Sequence, residues 1–425
     1  MTLPTEHPLR HRLFNESHVR PYSDFTTPVQ VSHLALITDQ ISAKDECEHL
    51  CVLAEQYGVA PPNINATHYD ACFQGITIKW AKHTEFSTYS IVTTKQSKEA
   101  FSSKAIDGIP SEWINAIKGD LLVAQHIEIM SSCEPSSIQA TVTKHFQQDS
   151  LVASLVAGTA AQAWTDFQLQ EDSFSNVLIF DSNLTPQTTG RLVRHLLELE
   201  TYRMLALLAL PLVEQYGKPL REMGFRLTEI TQRMSATETL QEEHDLLSDL
   251  TALEANIEQI IASTSYRFSA TRAYRSIVSD RVKRIRENRV EGRQMISRYL
   301  ERRFEPAMNA SESIASMLES LSVHVSRASQ ILMARINLAV ESQNQKLLNS
   351  MDKRAHIQLR LQQTVEGLSI AAISYYIVGL MSYLAKALKT GGVPIQIDLF
   401  VGASIPVVLM SVWFAAHKVK KGLFK

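Results

Sequence analysis

Two stretches near the C-terminus constrain the fold of this chain most strongly. Gly367–Ala385 and Leu399–Ala416 contain no Asp, Glu, Lys or Arg. A hydrocarbon core of roughly 30 Å needs about 20 apolar residues in a helix that rises about 1.5 Å per residue. The sequence therefore predicts a transmembrane hairpin whose two helices cover residues 367–388 and 396–417. The preceding residues would then form a large polar body held at a membrane.

The loop of the predicted hairpin is short, and it contains Gly391, Gly392 and Pro394. Lysines and arginines are concentrated on the outer sides of the hairpin, before the first helix and in the basic tail over residues 418–425. Because basic residues favour the cytoplasmic side of a membrane, we expect the body and the tail in the cytoplasm and the loop outside. The residues through Phe25 contain no apolar stretch typical of a secretion signal. This agrees with a protein of the cytoplasmic membrane that has both termini in the cytoplasm.

Residues 1–184 alternate short β-rich runs with helical segments, which predicts a mixed α/β sheet domain. Ala43–Tyr57 has helical spacing and is followed by Gly58, a common helix terminator. The predicted strands are Val29–Thr38, Gly75–Trp80, Glu85–Thr93, Leu121–Met130, Leu151–Val156, Ala163–Leu169 and Asn176–Phe180. The predicted fold class is therefore α+β, with a sheet of six or seven strands followed by long helices.

Residues 185–304 form a helical region in this interpretation, and it opens with the cap and first-turn pair Thr185 and Pro186. Glu238–Glu258 holds seven acidic residues and no Lys or Arg, whereas Arg267–Arg303 holds twelve Lys/Arg and four Asp/Glu. The pattern favours an acidic and a basic helix that pair as a hairpin through a turn at Ile261–Ser265. The alternative is that the basic helix binds nucleic acid or lipid headgroups. The acidic partner nearby and the formal net charge of −2 make nucleic acid an unfavoured partner.

Residues 305–366 are predicted to form a stalk helix, because neither Pro nor Gly occurs between Ala307 and Gly367. Its recurring apolar positions predict coiled-coil packing and a homo-oligomer. Asn349, Asp352 and His356 fall on one helix face, together with Gln363. In a symmetric bundle these side chains could hold hydrated Mg²⁺ or another divalent cation. The alternative is a solvated face that fixes the register of the bundle.

Few residues suggest enzymatic chemistry. The chain has no Gly-rich phosphate loop, no zinc-binding Cys or His pair and no nucleophile elbow, and its four cysteines suit a reducing compartment. His83 and Glu85, which follow Trp80, are the strongest candidates, and His126, Glu128 and Asp166 could converge on them through the sheet. A buried polar network that fixes strand register is the other interpretation. We therefore expect a protein that is not an enzyme and has no catalytic residue.

Four stretches of the chain resemble the bacterial family called domain of unknown function 3422, whose members are described as predicted membrane-anchored proteins. The stretches are WAKHTEFSTY at Trp80–Tyr89, GRLVRHLLELETYRMLALLALP at Gly190–Pro211, RFSATRAY at Arg267–Tyr274 and QLRLQQTVEGLSIAAISYYIVGL at Gln358–Leu380. The resemblance implies membrane anchoring, and it implies neither an activity nor a cofactor.

The order of the predicted elements also resembles the CorA-type divalent-cation channels, which are homopentamers with a cytoplasmic domain, a stalk helix and two C-terminal membrane helices. Their signature Gly-Met-Asn is missing, since the corresponding loop here begins Lys389-Thr390-Gly391. The sequence thus predicts an oligomeric integral membrane protein whose large cytoplasmic domain binds a partner or senses a ligand. A divergent cation channel and an enzyme centred on His83 and Glu85 are the alternatives.

Overall fold

The computed structural model describes residues 6–7, 9–10, 24–64, 66–95, 99–237, 239–392 and 396–423. Three residues of the sequence predictions, Glu238, Pro394 and Lys425, lie outside this described part. The chain forms two compact units. The first consists of Met1–Ser235 and Ser248–Ala328, and the second of Ala236–Leu247 and Ser329–Lys425.

The first unit is built on a mixed sheet, which has nine strands within the described residues. The strands are β1 Val29–Ile37, β2 His68–Phe73, β3 Ile76–Lys82, β4 Phe86–Thr93, β5 Asp120–Ser131, β6 Val152–Val156, β7 Ala161–Leu169, β8 Ser175–Asp181 and β9 Asn288–Arg289. Their order across the sheet is β2-β3-β4-β1-β5-β8-β7-β6-β9. The β5–β8 pair is parallel, and the other pairs are antiparallel.

Long helices account for most of the remaining described chain. They are α1 Ala43–Tyr57, α2 Ser111–Asn115, α3 Pro135–His145, α4 Pro186–Leu207, α5 Leu210–Ala236, α6 Leu240–Arg284, α7 Ile296–Arg303, α8 Glu305–Thr390 and α9 Ile397–Leu423. A sheet domain followed by long helices confirms the predicted α+β fold class.

Local signals explain several of these boundaries. Helix α1 begins at a capping box, in which Ser42 and Asp45 satisfy each other's backbone N–H groups, and it ends at Gly58 in the left-handed conformation (φ 66°). The hairpin between β2 and β3 turns through Gln74 and Gly75, both with positive φ, as a tight two-residue hairpin requires. Thr185 caps α4 by accepting a hydrogen bond from the Thr188 N–H. Each of these elements therefore begins or ends where a side chain or a turn satisfies its backbone.

The predicted acidic and basic hairpin is wrong. Helix α6 continues without a break through Ile261–Ser265, because that segment contains neither Gly nor Pro to end it. The charges of α6 find partners on neighbouring helices: Asp249 pairs with Arg226 of α5, and Arg275 pairs with Glu305 of α8. The predicted sheet was also too small, because β2 and β9 were missed.

The sheet has hydrophobic cores on both faces. The face that carries Val31 of β1 and Ile127 of β5 packs against α4, and Val278 of α6 and Leu300 of α7 join the same core. On the other face α1 covers β1, β3 and β4, and α3 covers β7 and β8. The two faces of β4 therefore meet different helices, α4 on one side and α1 on the other.

Two helices are long and apolar enough to cross a membrane by length and composition: α8, in its C-terminal part, and α9. Only 11% of the most apolar window in each helix is buried within the chain. Large apolar side chains such as Tyr375 (77% exposed) and Leu399 (70% exposed) face outward. These helices are therefore unlike the buried core helix of a globular unit, which would hide its apolar side chains.

Candidate functional site

A cavity of about 200 Å³ lies between the α4 face of the sheet and helix α4. Small residues on facing elements leave this space open: Thr88 and Ser90 on β4, Ala81 on β3 and Gly190 on α4 all line it. At Val92 the cavity borders the hydrophobic core, to which this side chain belongs. The alternation of β4 puts Phe86, Thr88 and Ser90 on this one face. The cavity is thus a consequence of small residues at facing positions.

A buried histidine holds two strands and α4 together at the cavity. His33 of β1 shares hydrogen bonds with Ser90 Oγ through Nδ1 (2.7 Å) and with Thr201 Oγ1 of α4 through Nε2 (3.1 Å). Burial lowers the pKa of His33 to about 4, although the carboxylate of Glu198 opposes this shift. His33 is therefore neutral at pH 7, with one ring nitrogen donating and the other accepting. Ser90 and Thr201 both line the cavity, and Ser90 is half-buried whereas Thr201 is buried.

The charged groups of the cavity wall are paired. Glu198 of α4 accepts a hydrogen bond from Arg194 Nε at 2.7 Å and another, through its second oxygen, from Arg281 of α6. On the strand side Lys79 Nζ lies 2.9 Å from a carboxylate oxygen of Asp70. Each charge on the wall is therefore balanced by a neighbour of opposite sign.

Aromatic rings form the end of the cavity near the β3–β4 turn. The imidazole of His83 stacks on Phe86 with 4.2 Å between ring centroids and 9° between planes. Tyr202 of α4 meets Phe86 edge-on at 5.8 Å and contacts Tyr274 of α6 at 5.4 Å. These rings give the cavity a rigid apolar wall.

Glu85 anchors α6 to the β3–β4 turn. Its buried carboxylate (2% exposed) receives two hydrogen bonds from the Arg267 guanidinium, at 3.2 and 2.8 Å, and a third from the hydroxyl of Tyr274. Burial and the Glu85 carboxylate raise the pKa of Tyr274 well above its usual value, so its phenol stays a donor. Two of the sequence stretches, Trp80–Tyr89 and Arg267–Tyr274, therefore meet in space at this ion pair.

Trp80 belongs to a second network on the opposite, α1 face. Its indole N–H donates to the buried carboxylate of Glu46 on α1 at 2.7 Å. Glu46 also accepts from Lys82, from Ser87 at 2.9 Å and from the Tyr89 hydroxyl at 3.4 Å. These four donors are the alternate residues of β3 and β4. The network is therefore complete, because all four donors bind the one carboxylate of Glu46.

The structure separates the residues that the sequence grouped as an enzyme centre. His83 lines the cavity, whereas the Glu85 carboxylate is bound to Arg267 and Tyr274. His126 and Glu128 lie on the other face, where His126 bonds Ser32 (2.9 Å) and stacks on Phe174. Glu128 accepts a bond from Gln30 there. Asp166 accepts the backbone N–H of Gln147 at 3.1 Å beyond the end of α3. The possible convergence of His126, Glu128 and Asp166 on His83 and Glu85 is therefore wrong.

The predicted cation ligands of the stalk lie on α8. Asp352 and His356 approach each other to 3.7 Å, and both side chains are more than 70% exposed. Asn349 is exposed on the same helix. Within the described residues, three or more His, Cys, Asp or Glu side chains nowhere come close enough together to hold a metal ion. Gly391 and Gly392 follow the end of α8, as predicted for the loop, and Gly392 has a positive φ of 95°.

Sequence reasoning missed the residues that define the cavity, namely His33, Ser90, Thr201 and the Arg194–Glu198 pair. The sequence did contain one signal. His33 is a polar residue two positions after Val31 and four after Val29, so it lies on the same buried face of the strand as these two valines. A polar side chain in such a position needs a partner. That partner, Thr201, is 168 residues away, so its identity depends on how α4 packs on the sheet.

The geometry defines an α+β protein with a cavity in its sheet domain and two helices of membrane-spanning length. Comparison with protein families gives one match: the sequence pattern of the family described as "Protein of unknown function (DUF3422)" covers residues 5–423. The chain belongs to this family. No curated protein and no solved structure matches it.

Proposed function

We propose that this protein is a membrane-anchored ligand-binding protein, in which the sheet domain binds a small molecule and the two apolar helices hold it at a bilayer. The observation that supports this most directly is the cavity at His33 and Ser90. Small-molecule sites are concave, mostly apolar and carry a few placed polar groups, and this cavity of about 200 Å³ combines aromatic and aliphatic side chains with hydroxyl and imidazole groups. In this proposal the cavity serves to bind a ligand.

The proposed ligand is held and not chemically changed. His33 has a pKa of about 4, so it is a weak base at pH 7, and both of its ring nitrogens are already bonded to hydroxyl groups. A general base that activates a nucleophile works best when its pKa lies near the working pH. These properties favour a structural and hydrogen-bonding role for His33, and thus a sensing or binding protein over an enzyme.

Membrane anchoring rests on the exposure of α8 and α9. Leaving side chains such as Leu399 (70% exposed) and Phe414 (66% exposed) in water would be costly, at about 25 cal/mol per Å² of apolar surface, whereas a lipid bilayer would cover them. With the basic residues on both outer sides, the proposal puts the sheet domain and the tail in the cytoplasm and the end of α8 outside.

Cysteine labelling tests this anchoring and its direction. We expect Thr390→Cys to react with a membrane-impermeant maleimide in intact cells, and the protein to need detergent for extraction. The native Cys72 and Cys133 are exposed in the sheet domain, so they serve as internal controls that should react only after lysis. Labelling of Thr390→Cys only after lysis would contradict the proposed topology, and release by high salt alone would contradict the anchoring.

We also propose that the protein assembles as a homo-oligomer through α8. Large apolar side chains recur there at positions of a heptad repeat, on a surface we call the heptad stripe: Val340, Leu347, Met351, Leu361, Val365 and Leu368. All six are exposed, between 40% and 67%. Such a stripe packs well against the same stripe of a second copy.

Two leucines provide a matched test of assembly. Leu361 lies on the heptad stripe (64% exposed), and Leu359 lies off it with similar exposure (56%). In mild detergent we expect Leu361→Lys to shift the mass by light scattering toward the monomer, and Leu359→Lys to leave it unchanged. An identical mass for both variants and the unmodified chain would refute assembly through this stripe.

A divalent-cation channel is a second candidate, favoured by Asp352 and His356, which lie one turn apart with their side chains exposed. Asp352 and His356 lie on the side of α8 opposite the heptad stripe, so several copies of the pair could line an axis and hold hydrated Mg²⁺ only in a bundle that packs through another face of α8. Reconstituted protein that passes no Mg²⁺, Co²⁺ or Ni²⁺ into liposomes would exclude the channel. If flux does occur, we expect Asp352→Ala to reduce it.

A further inference from the structure

We propose that the cavity selects a small, uncharged molecule with an aromatic body and one hydrogen-bonding group. This inference rests on the proposed ligand-binding function and names the chemical class of the ligand. It follows from three properties of the wall: its volume, its aromatic end and the way its charges are already paired.

The volume is sufficient for a small aromatic ligand. Known apolar cavities of about 150 Å³ hold one benzene molecule, so a space of about 200 Å³ suits a single ring with a small substituent. Phe86 is buried (3% exposed) and already contacts His83 and Tyr202. The half-buried ring of Tyr202 is therefore the aromatic surface against which a ligand ring can pack, stacked or edge-on.

The polar groups of the cavity that are not already in ion pairs include neutral hydroxyls. Ser90 and Thr88 contribute hydroxyls, and the His33 ring behind Ser90 is uncharged at pH 7. A hydroxyl can donate and accept, so it complements an alcohol, a phenol or an amide. It provides no full charge to balance an ammonium or a carboxylate group.

The charged residues on the wall disfavour a charged ligand. Glu198 binds both Arg194 and Arg281, and Lys79 binds Asp70. A carboxylate that recruited Arg194, or an ammonium that recruited Glu198, would have to weaken an existing ion pair. A charge that recruited neither would be desolvated without a partner, which is costly. The neutral ligand is the one that leaves every pair intact.

Three probes of nearly equal size test this selectivity on the full chain in mild detergent: benzyl alcohol, benzoate and benzylamine. At pH 7 they are neutral, anionic and cationic. Binding is measured by ligand-observed NMR. We expect benzyl alcohol to bind at least tenfold more tightly than either charged probe.

Cavity-filling variants show whether the probe occupies this space. We expect Ser90→Leu to weaken benzyl alcohol binding at least tenfold and Thr77→Leu, on β3 outside the lining residues, to leave it unchanged. Because all variants are measured in the same detergent, partition of the probe into micelles affects each of them equally. If thermal unfolding shows that Ser90→Leu does not fold, Ala81→Leu fills the same space from the neighbouring strand.

The outcomes distinguish the two proposals. Tighter binding of benzoate or benzylamine that is lost in Ser90→Leu would overturn the neutral ligand class and leave the proposed binding function standing. If binding of all three probes is unaffected by Ser90→Leu and Ala81→Leu, both the ligand class and the binding function are refuted.

Discussion

The polar side chains on the two faces of strand β4 have different surroundings. On the α1 face Ser87 and Tyr89 join Trp80 and Lys82 around one carboxylate, Glu46, and the network is closed and buried. On the α4 face Thr88 and Ser90 border an open cavity. Polar residues on a strand therefore do not by themselves identify a candidate functional site. The candidate site lies where paired polar groups surround an open space, whereas the closed network around one charge connects strands β3 and β4 to helix α1.

The comparison predicts its largest effect at Glu46. In Glu46→Ala the buried Trp80 N–H loses its acceptor and the partly buried Lys82 ammonium loses its counter-charge, so we expect a loss of about 3–5 kcal/mol of folding free energy. This corresponds to a fall in Tm of roughly 5 °C or more, measured by circular dichroism in mild detergent. Glu48→Ala, on the exposed side of the same helix, should change Tm by little. Equal effects of the two variants would mean that the α1 face is not held by this network.

Glu85 should behave as an intermediate case between the closed network and an exposed ion pair. Its carboxylate is buried, but the side chain of Arg267 is 21% exposed, which reduces the electrostatic contribution. We expect Glu85→Ala to cost about 2–3 kcal/mol, because Arg267 and Tyr274 lose their shared acceptor. The matched control is Glu301→Ala, whose partner Arg298 is 69% exposed and whose loss should cost under about 1 kcal/mol. A loss for Glu85→Ala as small as the control's would indicate that α6 is held mainly by apolar packing.

The sheet has a buried histidine on each face, His33 on the α4 face and His126 on the α1 face. Both should make the stability of the protein depend on pH. Burial lowers the pKa of His33 and of His126 to about 4 each, against about 6.5 in an unfolded chain. Between these values the unfolded chain binds more protons than the folded one, so stability falls as pH drops below about 6.5. Each histidine should cost about 2 kcal/mol at pH 5 relative to pH 8. We expect the fall in Tm from pH 8 to pH 5 to be smaller in His33→Gln and in His126→Gln. A Tm difference that matches the unmodified chain would show that the histidine in question is not buried in its neutral form.

The smallest stability effect is expected at the cavity. Ser90→Leu puts a side chain into open space but removes the hydrogen bond to His33, so the free energy of unfolding should fall by about 1–2 kcal/mol. Ser87→Leu, three residues earlier on the opposite face, must push into packed atoms and also removes a hydrogen bond to Glu46, at a cost of about 2–4 kcal/mol. The two variants are compared by thermal unfolding. A loss for Ser90→Leu as large as that for Ser87→Leu would mean that the α4 face is as closely packed as the α1 face.

Much of the fold could be predicted from local patterns. Helix α1 occupies Ala43–Tyr57 as predicted, and β1 differs from its prediction by one residue at its end. Ser42 and Gly58 provide start and stop signals within a few residues of the helix, which is why these boundaries could be predicted. Strand β2 was missed because it lies at the sheet edge with exposed residues such as His68 and Asp70. Its strand conformation depends on pairing with β3.

The error at α6 has a related cause. Segregated charge at Glu238–Glu258 and Arg267–Arg303 suggested two helices that attract each other, but a charge pattern does not identify its partner. The acidic half pairs with Arg226 of α5, and the basic half pairs with Glu85 and Glu305. Surface ion pairs contribute too little to bend a helix that has no break in its backbone signals.

The sequence by itself determined the α+β class, most element boundaries and the two apolar segments, because these depend on periodicity, caps and composition within a few residues. Only the tertiary structure decided which polar residues meet. Glu85 and Arg267 are 182 residues apart, and His33 and Thr201 are 168 apart. A hydrogen bond requires its two atoms within about 3 Å and suitably oriented. That geometry is set by how the helices pack on the sheet, and the cavity at Ser90 is set by the same packing.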